Sequence, residues 1–125
     1  MKVLTIEQMN QLKELGVGVK PKGMCLMYTS DSSDNYYLKY GESTCEDDVA
    51  AFSLQDIIEL LPKSIIINSV KHWICVSPNC LLTEFQVMHV DGDDSYSVMK
   101  QNKSLLQAAY EMLLWVIENG YLKTK

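Results

Sequence analysis

Residues 64 to 99 constrain the fold more than any other part of the chain. Four stretches there, SIIINSV, HWICVS, LLTEFQVMHV and YSVM, are rich in β-branched and aromatic residues and are parted by SPNC and DGDD. Breaks this short join strands as hairpins, whereas parallel neighbours need a crossover of a dozen or more residues. The segment therefore predicts an antiparallel sheet. Because SIIINSVKHWICVS is long for one strand, a bulge or short bend is placed at Lys71.

Three helices frame this region. In LTIEQMNQLKELG, Thr5 and Gln8 stand in capping-box register, Leu4 and Met9 occupy the two staple positions, and Gly16 supplies a left-handed stop. Ser53 and Asp56 cap a second helix, with Phe52 and Ile57 as its staple. Its buried stripe is Leu54, Ile57, Ile58 and Leu61, and Pro62 ends it. Ser104 and Gln107 open the last helix, and ENG closes it. Between the first two helices, MCLMYTS and YYLKY read as a hairpin around DSSDN, followed by the acidic loop GESTCEDD.

The element order is αββαβββ(β)α. It predicts one α+β domain over residues 1–125, with an antiparallel sheet of about four to six strands packed by a long C-terminal helix and two shorter ones. At 125 residues the chain has the usual length of a single domain.

The charge balance narrows the partners. With 11 Lys and Arg against 16 Asp and Glu, the net charge is −5. Binding to phosphate backbones runs on counterion release by basic side chains, so direct nucleic-acid binding is not expected, nor is an anionic membrane surface. MKVLTIEQMN lacks the apolar run of a signal peptide, and no apolar stretch reaches the roughly 18 residues of a membrane span. Cys25, Cys45, Cys75 and Cys80 are then expected as free thiols in a reducing cytoplasm.

One constellation could carry chemistry: His72-x2-Cys75-x4-Cys80-x8-His89. Two thiolates and two imidazoles suffice for tetrahedral zinc. Strand alternation, however, puts His72 and Cys75 on opposite faces. With SPNC as the turn, His89 pairs near Ser69, roughly 20 Å from Cys75 at ~3.3 Å per residue. The expectation is therefore no metal site and no cofactor. A Cys75–Cys80 disulfide would need an oxidising compartment, and neither thiol sits at a helix N-terminus or beside a basic residue that would activate it. DGDD lacks the glycine and ligand spacing of a calcium loop. No phosphate-cradling glycine loop, nucleophile elbow or paired-carboxylate motif is present, so an enzyme is the weaker class and no small-molecule ligand is predicted.

Two surfaces remain as candidates. Leu114 falls on the polar line of the last helix among Gln107, Glu111 and Glu118, with Tyr110 and Trp115 on its borders. A leucine there needs a covering loop or a partner, which makes Tyr110, Leu114 and Trp115 a candidate interaction face or homodimer contact. Glu42, Glu46, Asp47 and Asp48 crowd one loop, and Asp91, Asp93 and Asp94 another. If these converge, they form an acidic face.

AFSLQDIIELLPKSI and AAYEMLLWVIENGYL resemble stretches in small proteins encoded by bacterial prophages and other mobile elements. The resemblance covers about a third of the chain, implies a cytoplasmic, phage-derived protein of unassigned function, and brings no site residues with it. The leading expectation is a non-catalytic interaction factor with a protein partner or a second copy. The alternatives are an acidic nucleic-acid mimic that inhibits a DNA-binding protein and, third, a cysteine-dependent enzyme or metal protein.

Overall fold

The computed structural model describes residues 2–30, 35–78, 83–92 and 96–122. Helix α1 (Ile6–Glu14) begins at the expected cap. The Gln8 amide donates to the Thr5 hydroxyl at 3.2 Å, and the Thr5 amide donates to the Gln8 side-chain oxygen at 3.0 Å. Leu4 and Met9, the staple pair, are fully buried. At the other end Gly16 takes φ +91°. The amides of Gly16 and Val17 turn back to the carbonyls of Lys13 and Leu12, both at 3.0 Å. This is a complete Schellman stop, and only a residue without a Cβ enters it freely.

The chain falls into two compact units, of which the first ends at Ser53. In it, β1 (Cys25–Ser30) pairs antiparallel with β2 (Tyr36–Gly41) in unbroken register from Cys25 opposite Gly41 to Ser30 opposite Tyr36. The expected turn between them lies mostly outside the described residues. A two-residue strand, β3 (Val49–Ala50), pairs with the other side of β1, giving the order β2-β1-β3. It went unread because two residues are too short to show alternation. Beyond the sheet, the Tyr28 hydroxyl donates to the Leu4 carbonyl, and an isolated bridge joins Val3 to Ser53.

The second unit begins with α2 (Leu54–Leu60), where Ile57 and then Leu61 are buried before Pro62. Four strands follow: β4 (Ser64–Ile67), β5 (Val70–Pro78), β6 (Phe85–Val90) and β7 (Tyr96–Asn102). They form an antiparallel sheet in sequential order. The bend expected at Lys71 is instead a two-residue turn at Asn68 and Ser69, with φ +51° and +68°. Positive φ at both positions is the type I′ geometry whose twist matches the flanking strands, so the long apolar run folds into a hairpin. Lys71 lies within β5, opposite Ile66.

Helix α3 (Leu105–Glu118) packs on β6 and β7 and on α2. Ser104 caps it, accepting from the Gln107 amide at 3.4 Å. Its exit repeats that of α1: Gly120 has φ +77°, and Gly120 and Tyr121 donate to Ile117 and Val116. Helical spacing expects a core line of Leu105, Ala109, Leu113 and Val116 flanked by Leu106, Met112 and Ile117; all of these are buried except Leu105 and Ile117, which are half-buried. The α+β class, the antiparallel pairing and the C-terminal helix on the sheet follow the sequence reading. The strands divide into two sheets, of three and four strands, where one was expected.

Candidate functional site

The histidines lie closer together than the sequence suggests. β5 runs through Pro78 and β6 starts only at Phe85, so the connection is longer than the SPNC turn and the register moves with it. His89 pairs with Ile74, not with Ser69. Residues directly opposite share a face, and so do residues two apart along a strand. His72, Ile74 and His89 therefore line one side of the sheet, while Cys75, opposite Met88, lies on the other. The separation of His72 from Cys75 follows the expected alternation. The 20 Å separation of His89 does not survive the longer loop. Cys80 lies outside the described residues.

Both histidines are buried, His89 completely. The His72 Nδ1 lies 2.9 Å from the Val70 carbonyl. Neither ring nitrogen of His89 has a partner in bonding geometry among the described residues. Burial holds the His89 pKa below its ordinary value and nearby His72 pushes the same way, whereas the Pro62 carbonyl opposes the shift without satisfying either nitrogen. The ring is thus a neutral core histidine. Among the described residues, no three His, Cys, Asp or Glu side chains gather as a metal cage.

The helix face changes as well. Tyr110 is 5 % exposed and belongs to the core, where burial raises its pKa. The buried arc of α3 is wider than the wheel implies at both borders, enclosing Tyr110 on one and Ala108 on the other. Leu114 and Trp115 are half-buried, and Trp115 stacks on Tyr121 with ring centroids 5.4 Å apart. The tyrosine that follows the glycine stop thus folds back over the indole, and Tyr110 leaves the candidate interface.

In the first acidic loop, Glu42, Glu46 and Asp47 are exposed but Asp48 is buried, at 4 %. Its Oδ2 accepts from the Ser43 hydroxyl at 3.0 Å and from the amides of Thr44 and Cys45 at 3.1 and 3.2 Å. The Thr29 hydroxyl is the largest influence lowering its pKa, although Oδ1 has no partner in bonding geometry. Asp48 is therefore the peg that folds the loop and not part of an acidic face. Beside it, a shallow cleft of ≈ 300 Å³ is lined by Lys20, Pro21, Cys45 and Glu46, among others. The cleft brings together a cation, a thiol and carboxylates. Asp91 is half-buried in the second unit, and Asp93 and Asp94 lie outside the described residues.

The surface that sequence reasoning missed is β2. Tyr36, Tyr37, Leu38 and Tyr40 are 41 to 65 % exposed, and β2 has β1 on one side and no strand on the other among the described residues. The signal was present in YYLKY, which does not alternate. Apolar residues at both parities mean a strand buried on two faces or one left bare on both. A second patch lies on β4 and β5, where Ile66 and Trp73 are exposed and the Lys71 ammonium sits 5.5 Å from the Trp73 ring centre.

Compared with family models, with curated proteins and with solved structures, the chain matches none. Among the described residues, no helix is long and apolar enough to cross a membrane.

Proposed function

We infer that the chain is a non-catalytic protein-interaction factor, a cytoplasmic accessory protein of the mobile-element type, which meets its partner through strand β2. One observation carries this reading: an edge strand whose Tyr36, Tyr37, Leu38 and Tyr40 stay exposed while its far backbone edge is unpaired by any described strand. Tyrosine supplies large contact area and a polar tip at little entropic cost, and an open edge offers main-chain hydrogen bonds to an incoming strand. The free thiols at Cys25, Cys45 and Cys75 support the reducing location.

The test compares wild type with a Tyr37→Glu, Leu38→Glu double variant. Both side chains are about half exposed, so the variant should keep its fold by circular dichroism. Tagged forms of each are used to recover bound protein, and their solution masses are measured by light scattering. The reading expects an association of wild type, with itself or with another protein, that the variant loses. A folded variant that keeps every association of wild type would overturn it.

A further inference from the structure

Among the described residues the two sheets contain four edge strands, and three of them are guarded. β3 has only two residues and β4 only four, while β7 changes register where His89 and Val90 meet it. Short strands and bulges are the usual devices that keep sheet edges from pairing with other chains. β2 has neither: it runs six residues without a bulge and ends at a glycine. Lys39 is its only charged residue.

The sequence of β2 is complementary to itself. Two antiparallel strands related by a two-fold axis must pair residues of equal parity, because only alternate residues point their backbone groups outward. Centring on Leu38 sets Leu38 against its own copy, Tyr36 against Tyr40 twice, and Tyr37 against Lys39 twice. Aromatic pairs and a cation over an aromatic ring are favourable cross-strand contacts. Centring on Lys39 would set like charges directly opposite, which is unfavourable. Centring on Tyr37 would leave Tyr40 without an opposite number in β2. Only the Leu38 axis matches all five positions from Tyr36 to Tyr40.

We propose that β2 pairs with β2 of a second copy about an axis at Leu38, joining two three-stranded sheets into one of six strands. This rests on the reading of β2 as the interaction surface and names its occupant. The four exposed side chains supply on the order of 400 Å² per copy, about half of a standard interface, so the dimer is weak and depends on concentration. With a net charge of −5 on each copy, added salt strengthens it.

Cysteine scanning tests the register. Leu38→Cys, Tyr37→Cys and Lys39→Cys are prepared in a Cys45→Ser background, oxidised mildly, and compared with that background alone. Directly opposite residues place their Cβ atoms within about 5 Å, near disulfide reach, whereas diagonal ones do not. Leu38→Cys should cross-link to itself. Tyr37→Cys and Lys39→Cys should each cross-link poorly alone and well when mixed. Equal cross-linking at all three positions, or none above background, overturns the pairing. Sedimentation gives a second readout: Leu38→Lys should raise the concentration at half-dimerisation at least about tenfold. A monomeric wild type at every concentration, combined with recovery of another protein that the Tyr37→Glu, Leu38→Glu variant loses, would sink the self-pairing and leave the broader reading standing.

Discussion

β7 forms one edge of the four-stranded sheet and breaks its register beside His89, while β2 forms one edge of the three-stranded sheet and runs unbroken with three tyrosines and a leucine exposed. Behind β7 lies an apolar helix, with Leu113, Met112 and Val116 all fully buried. The first unit has a smaller apolar centre around Leu4, Met9, Leu12 and Met27 and adds polar ties, with Asp48 holding its loop and the Tyr28 hydroxyl bonded to the Leu4 carbonyl. The contrast is between a sheet backed by an apolar helix and one pinned by hydrogen bonds and left open at its rim. Burial is non-directional and tolerates a finished surface; hydrogen-bonded pegs can hold a strand in place without covering it.

The comparison can be broken most directly in the second unit. Leu113→Ala should cost about 2–5 kcal/mol in chemical denaturation, because a fully buried leucine leaves a cavity behind α3. A loss under about 1 kcal/mol would mean the helix is not the principal cover of that sheet. Asp48→Ala should cost less, about 1–3 kcal/mol, since the Ser43 hydroxyl and the Thr44 and Cys45 amides lose their shared acceptor. Hydrogen exchange at Thr44 and Cys45 should quicken with it; unchanged protection there would show that Asp48 is not the peg.

Acid separates the two units without mutation. The His89 pKa is lowered in the fold, so the unfolded chain takes up the proton first, and the stability tied to this ring is whole above pH 6.5 and declines as pH falls below it. The Asp48 pKa is also lowered, but from 3.8, so its contribution stays whole above that pH and is lost only on further acidification through its folded pKa. Thermal melting between about pH 7.5 and 5 should therefore show a slope that His89→Leu flattens and Asp48→Asn leaves in place. The reverse pattern would mean the buried histidine is not the group that titrates. The smallest effect is a gain. Ser69→Gly removes a side chain from a residue at φ +68° in the β4–β5 turn and should stabilise by about 0.5–1 kcal/mol.

What the sequence made legible followed from local physics. Thr5, Gln8 and Gly16 each specify a bond within one turn of helix, so the ends of α1 read directly. The I′ turn at Asn68 and Ser69 was harder to see, because neither position is glycine and the run around it stays apolar. The position of His89 depended on a connection of unknown length; extra residues there moved its partner from Ser69 to Ile74. Tyr110 and Asp48 show the limit of patterns along one element. A helical wheel does not contain the neighbours that cover Tyr110, and a row of acidic residues does not reveal which one its own loop folds around.

The bridge between Val3 and Ser53 has a topological consequence. With the Leu4 amide bonded to the Phe52 carbonyl at 2.9 Å beside it, the chain enters and leaves the first unit at neighbouring points. That excursion is a closed loop, the arrangement that permits a segment to be spliced into a host chain or its ends to be joined and reopened elsewhere. New termini cut at Asn35, just before β2, would leave the Val3–Ser53 seam intact. The rim strand could then be presented from a rearranged order of the same residues.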